Sequence, residues 1–228
     1  MALRFAVLVG LIVTDLATAA NTLPPGTLRG PIDRLQQYPA VRLATPEQRA
    51  AAATLWRATQ KATEQWSQPR AARAAGFSLR TVPRRAGDTS VRWFHSENHE
   101  FLNDASFFDP ARVETLIYAN APGRPLVLIG VMFALARGMH GPNPGGPITR
   151  WHRHWVCARG RHRGLAPRRD GSCPAGTKGR YGSEMMHIWF TRDLRSAYAI
   201  HAPEPELCRA RLLPTDYCVR AGHKRHRR

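Results

Sequence analysis

A ten-residue apolar run, LVLIGVMFAL at positions 126–135, constrains the fold of this chain more than any other stretch. A strand that is apolar at nearly every position is buried on both faces, so the run predicts the central strand of a sheet. The segment ETLIYAN at 114–120 is a second strand candidate, and APGRP between the two predicts a hairpin. The chain therefore contains a sheet built around this pair.

Four more segments are strand candidates because short apolar or aromatic runs are bounded by turn-forming residues. They are FSLRTV at 77–82, VRWFH at 91–95, TRWHRHWV at 149–156 and EMMHIWF at 184–190. Helices come first along the chain. The sequence therefore predicts an α+β fold, in which N-terminal helices precede a mostly antiparallel β-sheet or barrel.

The first helix is predicted to begin at TPEQ, positions 45–48. Thr45 can cap it, Pro46 suits the first helical position, and Gln48 completes a capping box. Its apolar face includes Trp56 and Trp66, which are interpreted as core residues. A short second helix is predicted at 69–75, with Gly76 ending it.

The N-terminal segment has the order of a secretory signal. Arg4 precedes an apolar run from Phe5 to Val13, and small residues follow at Ala19 and Ala20. The predicted organisation is a signal peptide at 1–20, an extended lead-in at 21–44, one α+β domain at 45–220 and a basic disordered tail at 221–228. An uncleaved anchor is the alternative to cleavage. The expected location is outside the cell or at the exterior of the cell envelope.

An even number of cysteines in an exported chain indicates disulfides. The four cysteines are Cys157, Cys173, Cys208 and Cys218. Proximity along the chain favours Cys157–Cys173 and Cys208–Cys218, although three pairings are possible. A four-cysteine zinc site is the other interpretation, and it is disfavoured because no CxxC spacing is present.

The chain carries 34 Lys and Arg against 16 Asp and Glu, a formal net charge of +18. Such a charge favours anionic partners, such as an envelope polymer or a membrane surface. Nucleic acid is not expected, because basic residues do not alternate with a platform of aromatic residues. The candidate anion-binding residues lie in one loop: Arg159, Arg161, Arg163, Arg168 and Arg169.

The stretch WHRHW at 151–155 carries the main candidate site. If this stretch is a strand, His152 and His154 project from the same face. Two imidazoles can bind one cation, and His187 in a neighbouring strand candidate is the expected third ligand. His95 and Glu184 are further candidate ligands. Zinc or copper is the expected ion, and Met185 and Met186 beside His187 keep copper open.

Several catalytic motifs are missing from the chain. It contains no GxSxG, P-loop or GxGxxG pattern, so the sequence names no reaction and leaves open whether the protein is an enzyme. The alternative to a metal-dependent function is a non-enzymatic binder of anionic envelope polymers or surfaces, using the arginine-rich loop and the tail.

The stretch GGPITRWHRH resembles the opening of the first cupin metal motif, a glycine followed after five residues by HxH, here Gly146, His152 and His154. The resemblance implies a β-barrel that holds a metal, with His187 as the later histidine. The chain departs from the cupin pattern because Ala158 and Arg159 stand where the motif has a glutamate, and the second cupin motif is not reproduced.

A longer stretch, from His95 to Ala199, resembles a group of uncharacterised bacterial secreted proteins. The shared motifs are H-x-x-N, D-P-x-x-x-E-x-L-x-Y, W-H-x-H-x-x-C and E-M-x-H-x-W, in this order along the chain. This resemblance implies export and a site centred on histidines, and it implies no activity.

Overall fold

The computed structural model describes residues 37–79, 87–104, 108–136, 139–159, 162–165, 168 and 172–225. The strands are β1 (Arg92–Glu97), β2 (Thr115–Asn120), β3 (Val127–Ala134), β4 (Trp155–Arg159), β5 (His162–Leu165), β6 (Lys178–Tyr181) and β7 (Met185–Trp189). The α-helices are α1 (Pro46–Thr63), α2 (Pro69–Ala74), α3 (His99–Asn103), α4 (Leu194–Ala197), α5 (Glu204–Arg209) and α6 (Thr215–Arg225). The predicted α+β class is confirmed.

The strands form two sheets in which all pairs are antiparallel. The larger sheet has the order β1-β2-β3-β7, and the smaller one has the order β5-β4-β6. Within the described residues the larger sheet is open, so the predicted alternative of a closed barrel is wrong. Its outer strands, β1 and β7, are joined in the ladder only through β2 and β3.

Strand β3 is the central element that the apolar run predicted. Every residue of β3 after Val127 is buried, and β2 is buried from Thr115 to Ala119. The hairpin between these strands turns through Gly123, whose φ of +65° suits glycine. A β-bulge interrupts the β2–β3 register between Ile117 and Tyr118.

A separate apolar core covers each face of the large sheet, because successive strand residues point to opposite faces. On one face, Tyr118, Phe133 and Met186 pack with residues of α1 and α2, among them Ala52 and Ala72. On the other face, the sheet residues Ile117, Met132 and Trp189 pack with the helical region near the C-terminus, including Leu207 of α5 and Leu213. His187 belongs to this second face, because it alternates with Met186 along β7.

The N-terminal helices follow the sequence prediction closely. The Thr45 hydroxyl accepts a hydrogen bond from the Gln48 backbone, and the Gln48 side chain accepts one from the Thr45 backbone, so the capping box is present. Helix α2 ends before Gly76, whose φ is +91°. Tyr118 donates a hydrogen bond to the Trp66 carbonyl at 2.5 Å, and Tyr198 donates one to the Ala52 carbonyl at 2.8 Å. These bonds tie α1 and the turn after it to the rest of the fold.

Two of the predicted strands differ in the structure. In FSLRTV, Phe77 makes a single bridge with Asn98, Ser78 and Leu79 are not in a strand, and residues 80–82 lie outside the described residues. In TRWHRHWV, His152 makes a single bridge with Met185, and the regular strand begins only at Trp155. The segment that it pairs with has no strand at residues 182–184, between β6 and β7, and regular pairing is interrupted there.

The chain ends of the domain are described in part. Residues 1–36, which include the predicted signal peptide, lie outside the described residues. Helix α6 continues to Arg225, so helical backbone extends into the segment predicted as a disordered tail. None of the helices in the described part of the chain has the length and apolar character needed to cross a membrane.

Candidate metal centre

Three histidines from two separate segments converge on the second face of the large sheet. His187 lies in β7, and His152 and His154 lie in the segment before β4. His152 and Met185 exchange two backbone hydrogen bonds of 2.8 Å, which place this segment beside β7. The backbone N–H of Gly182 donates to the His154 carbonyl at 2.9 Å. The HxH pair is therefore attached at two points to the chain that leads into β7.

The imidazole nitrogens lie at a spacing suited to one metal ion. The Nε2 atoms of His152 and His154 are 3.2 Å apart. Two ligands of a tetrahedral zinc ion with Zn–N distances of about 2.05 Å lie about 3.3 Å from each other. One nitrogen of His187 completes a set whose three atoms all lie within 4.8 Å of one another. The predicted convergence of His152, His154 and His187 is confirmed.

Burial and hydrogen bonding leave ligand nitrogens available. His152 is 3% exposed and His187 is 5% exposed. The Nδ1 of His152 lies 3.4 Å from the Arg150 carbonyl, and because a carbonyl only accepts, this contact places the proton on Nδ1 and leaves the Nε2 lone pair free. The Nδ1 of His187 is buried and has no hydrogen-bond partner among the residues that the structure describes. A buried polar atom without a partner is unfavourable, and ligation of a metal through this nitrogen would remove the cost.

The surroundings hold the three imidazoles in their neutral form. Burial, together with the charge of His154, lowers the pKa of His152 to about 3. Burial, followed by the charges of His201 and His95, lowers the pKa of His154 to about 4. Burial also lowers the pKa of His187 well below its usual range, and the neighbouring histidines add to this effect. Neutral imidazole is the form that binds metals, so the ligands are ready at neutral pH.

Two more histidines lie at the rim of the cluster. The ring centroid of His95 is 6.1 Å from that of His187, and the ring centroid of His201 is 5.4 Å from that of His154. Both residues are exposed. His95 was a sequence candidate, whereas His201 was missed. It lies in a loop after α4 without any motif around it, so only the tertiary structure brings it here.

Trp189 forms one wall of the centre. Its ring stacks on the His187 ring with a centroid distance of 5.2 Å and an interplanar angle of 21°. The Trp189 indole N–H donates to the Ala199 carbonyl at 2.7 Å, which fixes the ring. Gly130 on the neighbouring strand leaves room for this tryptophan, because a Cβ at that position would lie 3.0 Å from its ring. The orientation of His187 is therefore set by packing.

Glu184 lies outside the three-histidine cluster, although it precedes β7 and is 7% exposed. Its carboxylate accepts from the backbone N–H of Gly141 at 3.3 Å and lies 3.4 Å from Nδ1 of His140. Arg153 Nε is 3.9 Å from the same carboxylate. Glu184 thus connects the loop at 140–141 with the HxH segment, and its role as a metal ligand stays a prediction.

The other predicted site residues are the four cysteines and the arginines of the basic loop. Both predicted disulfides, Cys157–Cys173 and Cys208–Cys218, are present. The first is three residues from His154 and ties β4 to the loop before β6. Of the arginine loop, Arg168 is exposed, Arg159 and Arg163 are described by their backbone alone, and Arg161 and Arg169 lie outside the described residues.

Comparison of the chain with protein-family models, with curated proteins and with solved structures gave no match.

Proposed function

We propose that this protein binds one zinc or copper ion through His152, His154 and His187. The observation that carries the proposal is the convergence of two buried imidazoles and the half-buried imidazole of His154, whose ligand nitrogens lie within 4.8 Å of one another. Neutral imidazole nitrogens suit zinc and copper, whereas magnesium and calcium prefer oxygen ligands. An all-nitrogen set therefore supports a transition metal or zinc.

Three protein ligands leave a fourth position on the ion. A fourth position open to water or substrate is typical of catalytic zinc sites, in contrast to structural sites, where the protein supplies all four ligands. The exposed side chains of His95 and His201 border the centre, so this side is the one through which a small molecule would reach the ion. We propose binding as the function and leave the reaction unassigned.

We further propose that the mature protein acts outside the cytoplasm, as expected for a relative of the bacterial secreted proteins that share its motifs. Two disulfides are compatible with an oxidising compartment. Cleavage is expected near Ala20 or Asn21, and N-terminal sequencing of the exported protein tests this. Recovery of an intact Met1 in the membrane fraction would support the anchor instead.

Calorimetric titration of the metal-free protein with zinc or copper tests the proposed function. We expect one ion per chain, and we expect alanine at any one of the three histidines to lower the affinity at least tenfold. His99→Ala is the matched control, because His99 is exposed and begins α3, away from the cluster. A wild-type protein that binds neither metal would overturn the proposal, as would a His187→Ala variant with wild-type affinity.

A further inference from the structure

Met185 lies next to two of the three histidines. It pairs with His152 through two backbone hydrogen bonds, an arrangement in which the two Cα atoms lie about 5.5 Å apart and both side chains lie on the same face. It also precedes His187 by two residues in β7, so these two side chains share that face as well. Met185 is therefore the neighbour of one histidine across the bridge and of another along the strand.

The three methionines near the centre differ in the face that they occupy. Met132 pairs directly with His187 across the β3–β7 ladder and belongs to the same core as Met185. Met186, which is 1% exposed, belongs to the core on the opposite face. The sequence places Met185 and Met186 equally close to His187, and the alternation of β7 separates them.

His95 and His201 are the other candidate donors for a fourth position. The group with mutually close ligand atoms consists of His152, His154 and His187, without His95 or His201. His95 has ring contact with His187, and His201 has ring contact with His154. Met185, in contrast, lies beside the segment that carries the HxH pair and on the strand that carries His187.

We infer that Met185 supplies a thioether donor to the ion and makes this centre selective for cuprous copper over zinc. The inference rests on the proposed metal site and specifies its preferred ion. A thioether is a soft ligand that suits Cu(I), whereas zinc is bound by imidazole, thiolate or carboxylate. The flexible methionine side chain can bring its sulfur to the ion without movement of the backbone.

The test compares Met185→Leu with Met186→Leu, a matched control at the adjacent position on the opposite face. Leucine has a similar volume, so each substitution is expected to keep the fold. The Cu(I) affinity is measured without oxygen, with ascorbate as the reductant and bicinchoninate as the competing chelator, and the zinc affinity is measured by calorimetry. We expect Met185→Leu to lower the Cu(I) affinity at least tenfold and to change the zinc affinity less than twofold. Met186→Leu is expected to leave both affinities unchanged.

X-ray absorption of the Cu(I)-loaded wild-type protein provides a second measurement that needs no variant. We expect a sulfur neighbour of copper in addition to nitrogen neighbours. Nitrogen neighbours alone, or an equal loss of zinc and Cu(I) affinity in Met185→Leu, would overturn the role of Met185 and leave the three-histidine site in place. A wild-type protein that binds neither ion would overturn both proposals.

Discussion

His95 in β1 and His187 in β7 have ring centroids 6.1 Å apart, although their strands are the outermost two of the four-stranded ladder. Three strand spacings of about 4.8 Å would separate such residues by roughly 14 Å in a flat sheet. The sheet must therefore curve, and its concave face gathers side chains from both sides.

The buried histidines should make the metal-free protein less stable in acid. The lowered pKa values of His152, His154 and His187 mean that the unfolded chain binds more protons than the folded one below pH 6.5. The free energy of unfolding should then fall as the pH decreases from 6.5 towards 4. Urea unfolding of metal-free wild-type and His187→Leu proteins across this range measures the effect.

Removal of one buried histidine should make the pH dependence shallower, by up to about 1.4 kcal/mol per pH unit. His99→Asn serves as the control, because His99 is exposed and begins α3, away from the cluster. If the free energy of unfolding varied with pH equally in His187→Leu and in the wild type, the lowered pKa of His187 would be contradicted.

Glu114 should have the opposite pH dependence. Its side chain is 1% exposed and accepts a hydrogen bond from the Ala134 backbone at 3.2 Å. Burial raises its pKa to about 7. A raised carboxyl pKa means that stability present below pH 4.5 is lost as the pH increases towards 7. Glu114→Gln should therefore gain stability relative to the wild type over this range, and the difference should level off above pH 7.

Chemical denaturation at several pH values measures this difference. Glu100→Gln is the matched control, since the Glu100 side chain is 78% exposed. A stability difference between Glu114→Gln and the wild type that does not vary with pH would show that folding does not raise the pKa of Glu114.

Gly130→Ala should destabilise the fold and weaken metal binding together. A Cβ at this position would lie 2.7 Å from the Ile188 carbonyl oxygen and 3.0 Å from the Trp189 ring. Overpacking of this kind costs about 1–3 kcal/mol. Because Trp189 stacks on His187, the displaced ring should also move a ligand. Gly182→Ala is the control, since its Cβ would meet only the His154 carbonyl at 3.7 Å. Equal thermal stability of the two variants would argue against the close packing at Gly130.

Loss of the Cys157–Cys173 disulfide should lower the free energy of unfolding by about 3 kcal/mol, the chain-entropy value for a bond that spans 16 residues. We expect the double variant Cys157→Ala, Cys173→Ala to bind metal more weakly as well, because β4 follows His154 directly. Denaturant unfolding and metal titration of this variant provide the two measurements. An unchanged unfolding midpoint would show that the bond does not limit the freedom of the unfolded chain.

The sequence was enough to predict the elements that are stabilised by interactions between residues close together along the chain. The capping box at Thr45, the stop at Gly76 and the buried strand β3 all depend on neighbours along the chain, and the structure contains each of them. The disulfide pairing also followed from proximity, because both bonds close short loops. The strand predicted at TRWHRHWV is regular only from Trp155 onwards, because the pairing before it is limited to the bridge between His152 and Met185.

The sequence by itself determined which metal-ligand candidates the chain contains and which of them are neighbours in sequence. These features are the HxH spacing, His187 beside two methionines, and the strands that carry them. Only the tertiary structure decided which of these donors meet. Curvature of the sheet brings His95 to the rim, the fold of the loop after α4 brings His201 to His154, and β-strand alternation separates Met185 from Met186. The contacts of His95 and His201 join residues that are distant along the chain. They depend on the overall packing of the fold, in which both faces of the sheet are covered by apolar residues.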